Sequence, residues 1–172
     1  AEEKITALKA GKIPIYEPGL DALVEKNVLA ERLSFSTNLA DHIPDADIVF
    51  IAVGTPTRRG DGHADLTYVY EAAKNIAVHL NGFTVVVNKS TVPVGTARQV
   101  SRIISDTNPN AEFAVASNPE FLREGAAITD FMRPDRVVLG VSDERAEALL
   151  RDLYRPINLI EAPILVTNWE SA

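Results

Sequence analysis

The strongest constraint on the fold is a series of short apolar runs separated by helix-patterned stretches. Asp47-Ile48-Val49-Phe50-Ile51-Ala52-Val53 is almost continuously apolar, and Phe83-Thr84-Val85-Val86-Val87-Asn88 is a second such run. A strand with one wet face alternates apolar and polar residues. An unbroken run suits a strand covered on both faces, as in a parallel sheet between helices. Residues 112–117, 136–141 and 164–167 supply a third, fourth and fifth strand. Between the runs, residues 66–80, 95–105 and 143–154 read as helices, the last with Ala146, Leu149, Leu150 and Leu153 at helical spacing. A shorter helix is expected near 120–130. Strands alternating with helices predict an α/β domain with right-handed crossovers and a parallel sheet. Ahead of this series, residues 2–10 read as a helix stopped by Gly11, and residues 19–27 as another with Leu20, Leu23 and Val24 on one face. Ser34-Phe35-Ser36 is a candidate strand, and Asn38 a candidate cap for a brief helix that ends before Pro44.

Composition narrows the function classes. A chain of 172 residues is long enough for one domain with a real core, and 46% hydrophobic content is that of a globular protein. A net charge of −7 opposes general nucleic-acid binding, which needs a basic face. No apolar run reaches the length of a membrane span. The absence of cysteine excludes thiolate nucleophiles, thiolate metal sites and disulfides within these residues, and fits a cytoplasmic setting. His42, His63 and His79 show no metal-ligand spacing, so no metal site is expected.

In an open parallel sheet, ligands bind beyond the carboxyl ends of the strands. The most unusual stretches fall at such ends. Gly54-Thr55-Pro56-Thr57 follows the first run, where Gly54 permits close approach of a ligand and the threonines offer hydroxyls to ribose or phosphate oxygens. Lys89-Ser90-Thr91-Val92-Pro93-Val94-Gly95-Thr96 follows the second and opens a helix whose N-terminus suits an anion. Lys89 points into this site or into solvent. Ser90 or Thr91 alternatively satisfies only local backbone groups. Asn118-Pro119-Glu120-Phe121-Leu122-Arg123-Glu124 follows the third run. With a helical turn from Pro119, Glu120 and Glu124 share one face and form an acid/base pair, or one base and one ligand contact. The competing reading is a solvated helix start whose carboxylates favour the dipole. Arg58, Arg59, Arg123, Arg133 and Arg136 are more simply solvated than phosphate-bound, and Ile15–Leu20 more simply fixes a turn than meets a ligand.

These segments carry a resemblance. Pro14–Leu20, Val53–Thr57, Lys89–Thr96, Asn118–Gly125 and Asp130–Val138, in that order, resemble the UDP-glucose 6-dehydrogenases of the UDP-glucose/GDP-mannose dehydrogenase family. Arg133-Pro134-Asp135-Arg136 is more similar to the UDP-glucose branch than to the GDP-mannose branch. The resemblance implies oxidation of a sugar C6 alcohol to the carboxylate with reduction of two NAD molecules, through an aldehyde captured by a cysteine and a thioester that is hydrolysed. It implies catalytic roles for Glu120, in thioester hydrolysis, and for Thr91, in positioning water. It places Val53, Gly54, Thr55, Pro56, Thr57, Ser90, Thr91 and Glu124 at NAD, and Glu120, Phe121, Leu122, Arg123 and Glu124 at the sugar nucleotide.

The resemblance further implies a Rossmann-like parallel sheet with helices on both faces that lacks the first βαβ unit. The G-x-G-x-x-G turn, the family's catalytic cysteine, the lysine and asparagine of its central helix and its C-terminal domain have no counterpart in this sequence. Residues 1–172 are therefore expected to be a partial NAD-binding domain, inactive alone, of a homo-oligomeric parent with no nucleic-acid or membrane partner. Two other readings compete: a non-catalytic nucleotide-binding module, and a structural α/β domain. GDP-mannose is the alternative substrate.

Overall fold

A computed structural model describes residues 2–58, 60, 62–158 and 162–172. Two compact units make up the chain: residues 1–38 with 121–134, and residues 39–120 with 135–172.

The larger unit is an α/β sheet domain. Its strands are β1 (Ile48–Ile51), β2 (Thr84–Asn88), β3 (Phe113–Ser117), β4 (Val137–Gly140) and β5 (Ile164–Thr167), in that spatial order. Its helices are α3 (Thr67–Ala77), α4 (Thr96–Thr107) and α6 (Glu144–Asn158), with a 3-10 turn at Leu39–Asp41. All of β2 is buried, as its unbroken apolar run predicts. Successive side chains of a strand point to opposite faces. Accordingly Val86 joins Ile51, Val115 and the α3–α4 residues Val69, Ala73, Val100 and Ile104 on one side. Val85 and Val87 join Leu139, Ala146, Leu150 and Tyr154 on the other. Helices therefore cover both faces, as expected.

The sheet is not wholly parallel. β1, β2 and β3 run parallel, in the register Ile51↔Asn88↔Ser117 at their ends. β4 is antiparallel to β3, meeting it only at Ser117↔Gly140, and β5 runs parallel to β4. This corrects the expectation of an all-parallel sheet. A parallel return needs a crossover packed on the sheet. The helix between β3 and β4, α5 (Ala127–Met132), enters neither core cluster and belongs to the smaller unit. Trp169 lies beyond β5, and its indole N–H donates to the Val115 carbonyl of β3 at 2.9 Å.

The smaller unit holds α1 (Glu2–Lys9), α2 (Leu20–Leu29) and α5. Ser34–Ser36 is not a strand: Ser36 Oγ instead accepts the Asn38 N–H at 3.0 Å in a local turn. The helix expected near 120–130 begins only at Ala127, so Glu120 and Glu124 do not share a helical face. Among the described residues, no helix is long and apolar enough to cross a membrane, and no cluster of three or more His, Cys, Asp or Glu is placed to hold a metal ion.

Candidate functional site

Because β1, β2 and β3 are parallel, their carboxyl ends form one rim, and the loops that follow are stitched together there. Thr55 Oγ1 donates to the Thr91 carbonyl at 3.1 Å. Ser90 Oγ donates to the Val53 carbonyl at 2.7 Å. The Lys89 N–H reaches back to the Ile51 carbonyl, and the Asn118 N–H extends the ladder to the Asn88 carbonyl, both at 2.9 Å. The hydroxyl-bearing loops and the start of the Asn118 segment are thus brought together as expected. Val53, Thr55 and Ser90 are half-buried, whereas Gly54, Pro56, Thr57, Thr91 and Glu120 are exposed. Thr57 pairs with Ala64 in an antiparallel bridge that folds its loop back on itself.

These bonds decide what the hydroxyls can offer a ligand. A serine or threonine has one donor and two lone pairs. The Thr55 and Ser90 protons are committed to backbone carbonyls, which leaves acceptor capacity. Both are suited to ribose hydroxyls or amide N–H groups rather than to phosphate oxygens, which accept only.

A polar cluster lies on the α6 side of the rim. Asn118 is 1% exposed. Its Nδ2 donates to the Val138 carbonyl at 2.9 Å, a group left outside the single β3–β4 pair. That orientation turns Oδ1 toward two donors: the Tyr154 hydroxyl at 2.5 Å and Lys89 Nζ at 3.0 Å. Lys89 Nζ also lies 3.5 Å from the Tyr154 oxygen. Burial pushes the Tyr154 phenol up to about 12, so it remains a neutral donor. Burial likewise lowers the Lys89 ammonium from its ordinary value, while the negative charge of Glu120 acts against that shift. Lys89 therefore points inward. Its side of the strand follows from sequence parity with Val85 and Val87, but its partner Tyr154 comes from a helix 65 positions away.

The smaller unit carries the remaining predicted residues. Phe121, Leu122, Arg123 and Glu124 are exposed. Asp130 grips Arg123 by its N–H at 3.0 Å, its Nε at 2.9 Å and its Nη2 at 2.7 Å. Those hydrogen bonds from Arg123 hold the Asp130 carboxyl down at about 2. Arg123 is thus engaged by a carboxylate, not merely solvated. The sequence marks Glu17 only as part of a turn. Its carboxylate accepts the Gly125 N–H and the Ala127 N–H, both at 2.8 Å. It thereby satisfies donors at the start of α5, as a capping side chain does. No local sequence signal marks that pairing, since the partners lie more than 100 positions apart.

The rim fits a dinucleotide in its chemistry. A Cβ built on Gly54 meets nothing within 4 Å, so a ligand can approach that turn closely. The Thr55 and Ser90 hydroxyls on the same rim keep acceptor capacity for such a ligand.

Comparison with known proteins agrees with this geometry. The model of the UDP-glucose/GDP-mannose dehydrogenase family, NAD binding domain, matches residues 1–158. The UDP-glucose 6-dehydrogenase of Rhizobium meliloti is 61% identical over 169 residues, which cover 97% of this chain and 39% of that protein. The UDP-glucose 6-dehydrogenase TuaD of Bacillus subtilis is 52% identical over 172 residues, covering 99% of this chain and 36% of that one. A UDP-glucose dehydrogenase structure from Pyrobaculum islandicum superposes with a TM-score of 0.92 at 41% identity, over 99% of this chain and 40% of that one. A GDP-mannose dehydrogenase from Pseudomonas aeruginosa gives a TM-score of 0.92 at 35% identity, with the same coverage of 99% and 40%. The chain spans about two fifths of the length of these relatives. With the family model matched over residues 1–158 and the fold reproduced, the chain belongs to the UDP-glucose/GDP-mannose dehydrogenase family and corresponds to its NAD binding domain.

Proposed function

We propose that residues 1–172 are part of an NAD-dependent dehydrogenase that oxidises the C6 alcohol of UDP-glucose to the carboxylate. The observation that carries this reading is the 61% identity to the Rhizobium meliloti UDP-glucose 6-dehydrogenase. NAD, when bound, supplies the hydride acceptor. Alcohol to carboxylate is a four-electron change, so one sugar requires two NAD molecules, and one water supplies the second carboxylate oxygen.

The chain's own residues bind, orient and move protons. Val53, Gly54, Thr55, Pro56 and Thr57 border the cofactor together with Ser90 and Thr91. Thr55 and Ser90 accept hydrogen bonds from it, since their own protons are committed within the protein. Glu120, exposed at the end of the β3 segment, takes a proton from the attacking water. Thr91, whose carbonyl is tethered by Thr55, orients that water. Glu124 contacts cofactor and substrate, and the Phe121–Arg123 backbone lines the sugar site. The Asp130 carboxylate ties the Arg123 backbone N–H and guanidinium together at the end of that stretch. The chain alone is inactive on this reading, and the enzyme it belongs to is a homo-oligomer.

A chimaera tests the proposal. The segment of this chain that aligns with the Rhizobium meliloti enzyme replaces its counterpart there, and NADH formation is followed with UDP-glucose and with GDP-mannose. Turnover with UDP-glucose is expected. A folded chimaera that turns over GDP-mannose alone reverses the substrate assignment. One that binds NAD but turns over neither sugar favours a non-catalytic nucleotide-binding module.

A further inference from the structure

The smaller unit is held together differently from the sheet domain. None of its described residues is buried, and none of residues 121–134 joins either core cluster. Its local order rests on helices, turns and hydrogen bonds rather than on a core. Glu17, Pro18, Gly19 and Leu20 close a type II turn: the Leu20 N–H donates to the Glu17 carbonyl at 3.0 Å, and Gly19 takes φ 84° and ψ −4° at the third position. Pro18 fixes its own φ at the second position. The Glu17 side chain therefore starts from a stiff piece of backbone.

That side chain acts on a stretch far away in sequence. Its two carboxylate oxygens accept the Gly125 and Ala127 N–H groups, one each, at 2.8 Å. Ala127 opens α5, but Gly125 lies ahead of the helix's cap residue Ala126, so the bond to Gly125 serves the stretch before the helix. Asp130 takes the Arg123 N–H at 3.0 Å, and the Arg123 carbonyl takes the Ala126 N–H at 3.1 Å. The N–H groups of residues 123, 125, 126 and 127 are thus all committed within the protein. Between them, the exposed Glu124 N–H meets no acceptor among the described residues. Fixing an exposed stretch that buries nothing costs backbone entropy and adds nothing to a core. Fixing it before a ligand arrives lowers the entropy cost of binding.

We propose that Glu17 is a positioning residue for the sugar nucleotide: its carboxylate, through the Gly125 and Ala127 N–H groups, holds residues 121–125 in the shape that the substrate binds. This deepens the dehydrogenase reading and rests on the place given there to the backbone of residues 121–123 and to Glu124. With its neighbours committed, the Glu124 N–H is left to a ligand oxygen. The role needs both oxygens of a carboxylate. A glutamine of the same length offers one oxygen, and its NH2 group then faces an N–H donor.

The test has two arms. In the 172-residue chain, amide hydrogen exchange is compared between the parent and Glu17→Gln. Exchange at Gly125 or Ala127 should rise by about tenfold or more, and unchanged exchange at both overturns the proposal. In the chimaera, Glu17→Gln should raise KM for UDP-glucose by about tenfold or more with kcat within about twofold. Asp130 holds Arg123 in the same stretch, so Asp130→Asn should give the same split, and it decides the matter if Glu17→Gln does not fold. A fall in kcat with KM for UDP-glucose unchanged, or a lower Tm with both parameters unchanged, makes Glu17 a structural cap and overturns the proposal. The two failures are separable. A parent chimaera that turns over neither sugar sinks the dehydrogenase reading and the proposal with it, whereas a working parent whose variants leave KM unmoved sinks the proposal alone.

Discussion

Replacing Asn118 by leucine nearly preserves shape while removing the three hydrogen bonds that its side chain makes. Three groups are affected: the Val138 carbonyl, the Tyr154 hydroxyl and Lys89 Nζ. The Val138 carbonyl has no partner on β3, because the two strands pair only at Ser117↔Gly140, so its loss costs about 1–3 kcal/mol. Tyr154 is 5% exposed, and stranding its hydroxyl costs a similar amount, about 1–3 kcal/mol. Lys89 is only half-buried and turns to water at little cost. The sum is a loss of about 2–6 kcal/mol, a large fraction of the roughly 5–15 kcal/mol that holds a domain together. Urea unfolding followed by tryptophan fluorescence measures it cleanly. Trp169 is the single tryptophan, and its indole is bonded to Val115 of β3. Tyr154→Phe in the leucine background removes one stranded group, so the double variant should be more stable than the sum of the singles by about 1 kcal/mol. An Asn118→Leu chain within about 0.5 kcal/mol of the parent would refute the claim that this cluster is a satisfied, stabilising network.

The Arg123–Asp130 clamp is acid-sensitive. Asp130 titrates near 2 when folded against an ordinary 3.8, so its contribution is complete above pH 3.8 and is lost as pH falls toward 2; Arg123 Nε chemical shifts should follow that window, and Asp130→Asn should abolish it. Glu17→Ala should speed hydrogen exchange at the Gly125 and Ala127 amides by about tenfold or more, because each loses a charge-assisted bond. Gly95→Ala should cost about 1–2 kcal/mol in the urea assay, since φ there is 91° and no atom lies within 4 Å of the added Cβ, so the penalty is backbone strain alone. Thr55→Val should weaken NAD binding measured by calorimetry more than Thr55→Ser does, because only serine keeps the tether to the Thr91 carbonyl.

Strand identity was legible where burial on both faces leaves no choice of residue. Val85, Val86 and Val87 are each 0% exposed, and a short run of β-branched residues bounded by turn residues suits a central strand. Direction was not legible, because an apolar run reads the same either way along its neighbour. β4 is antiparallel to β3 because of what lies between them, a six-residue helix that takes no part in either core. The acidic pair was misplaced for a related reason. A separation of four residues puts side chains together only on a helix, and α5 starts at Ala127. The donors at its start are met by Glu17, 110 positions away from Ala127. A partner that distant leaves no trace in local spacing.

The same distinction separates the two halves of the rim's chemistry. Hydroxyl residues after buried strands can be recognised from sequence, but the sign of what they offer cannot. Once Thr55 and Ser90 donate to Thr91 and Val53, each becomes an acceptor, and a phosphate becomes the wrong neighbour for it. A bound anion must then be met by other groups. The Lys89 ammonium is turned inward, its direction set by Asn118 and Tyr154 from β3's end and α6. What a ligand meets here therefore depends less on which side chains follow the strands than on which of their protons the fold has already used.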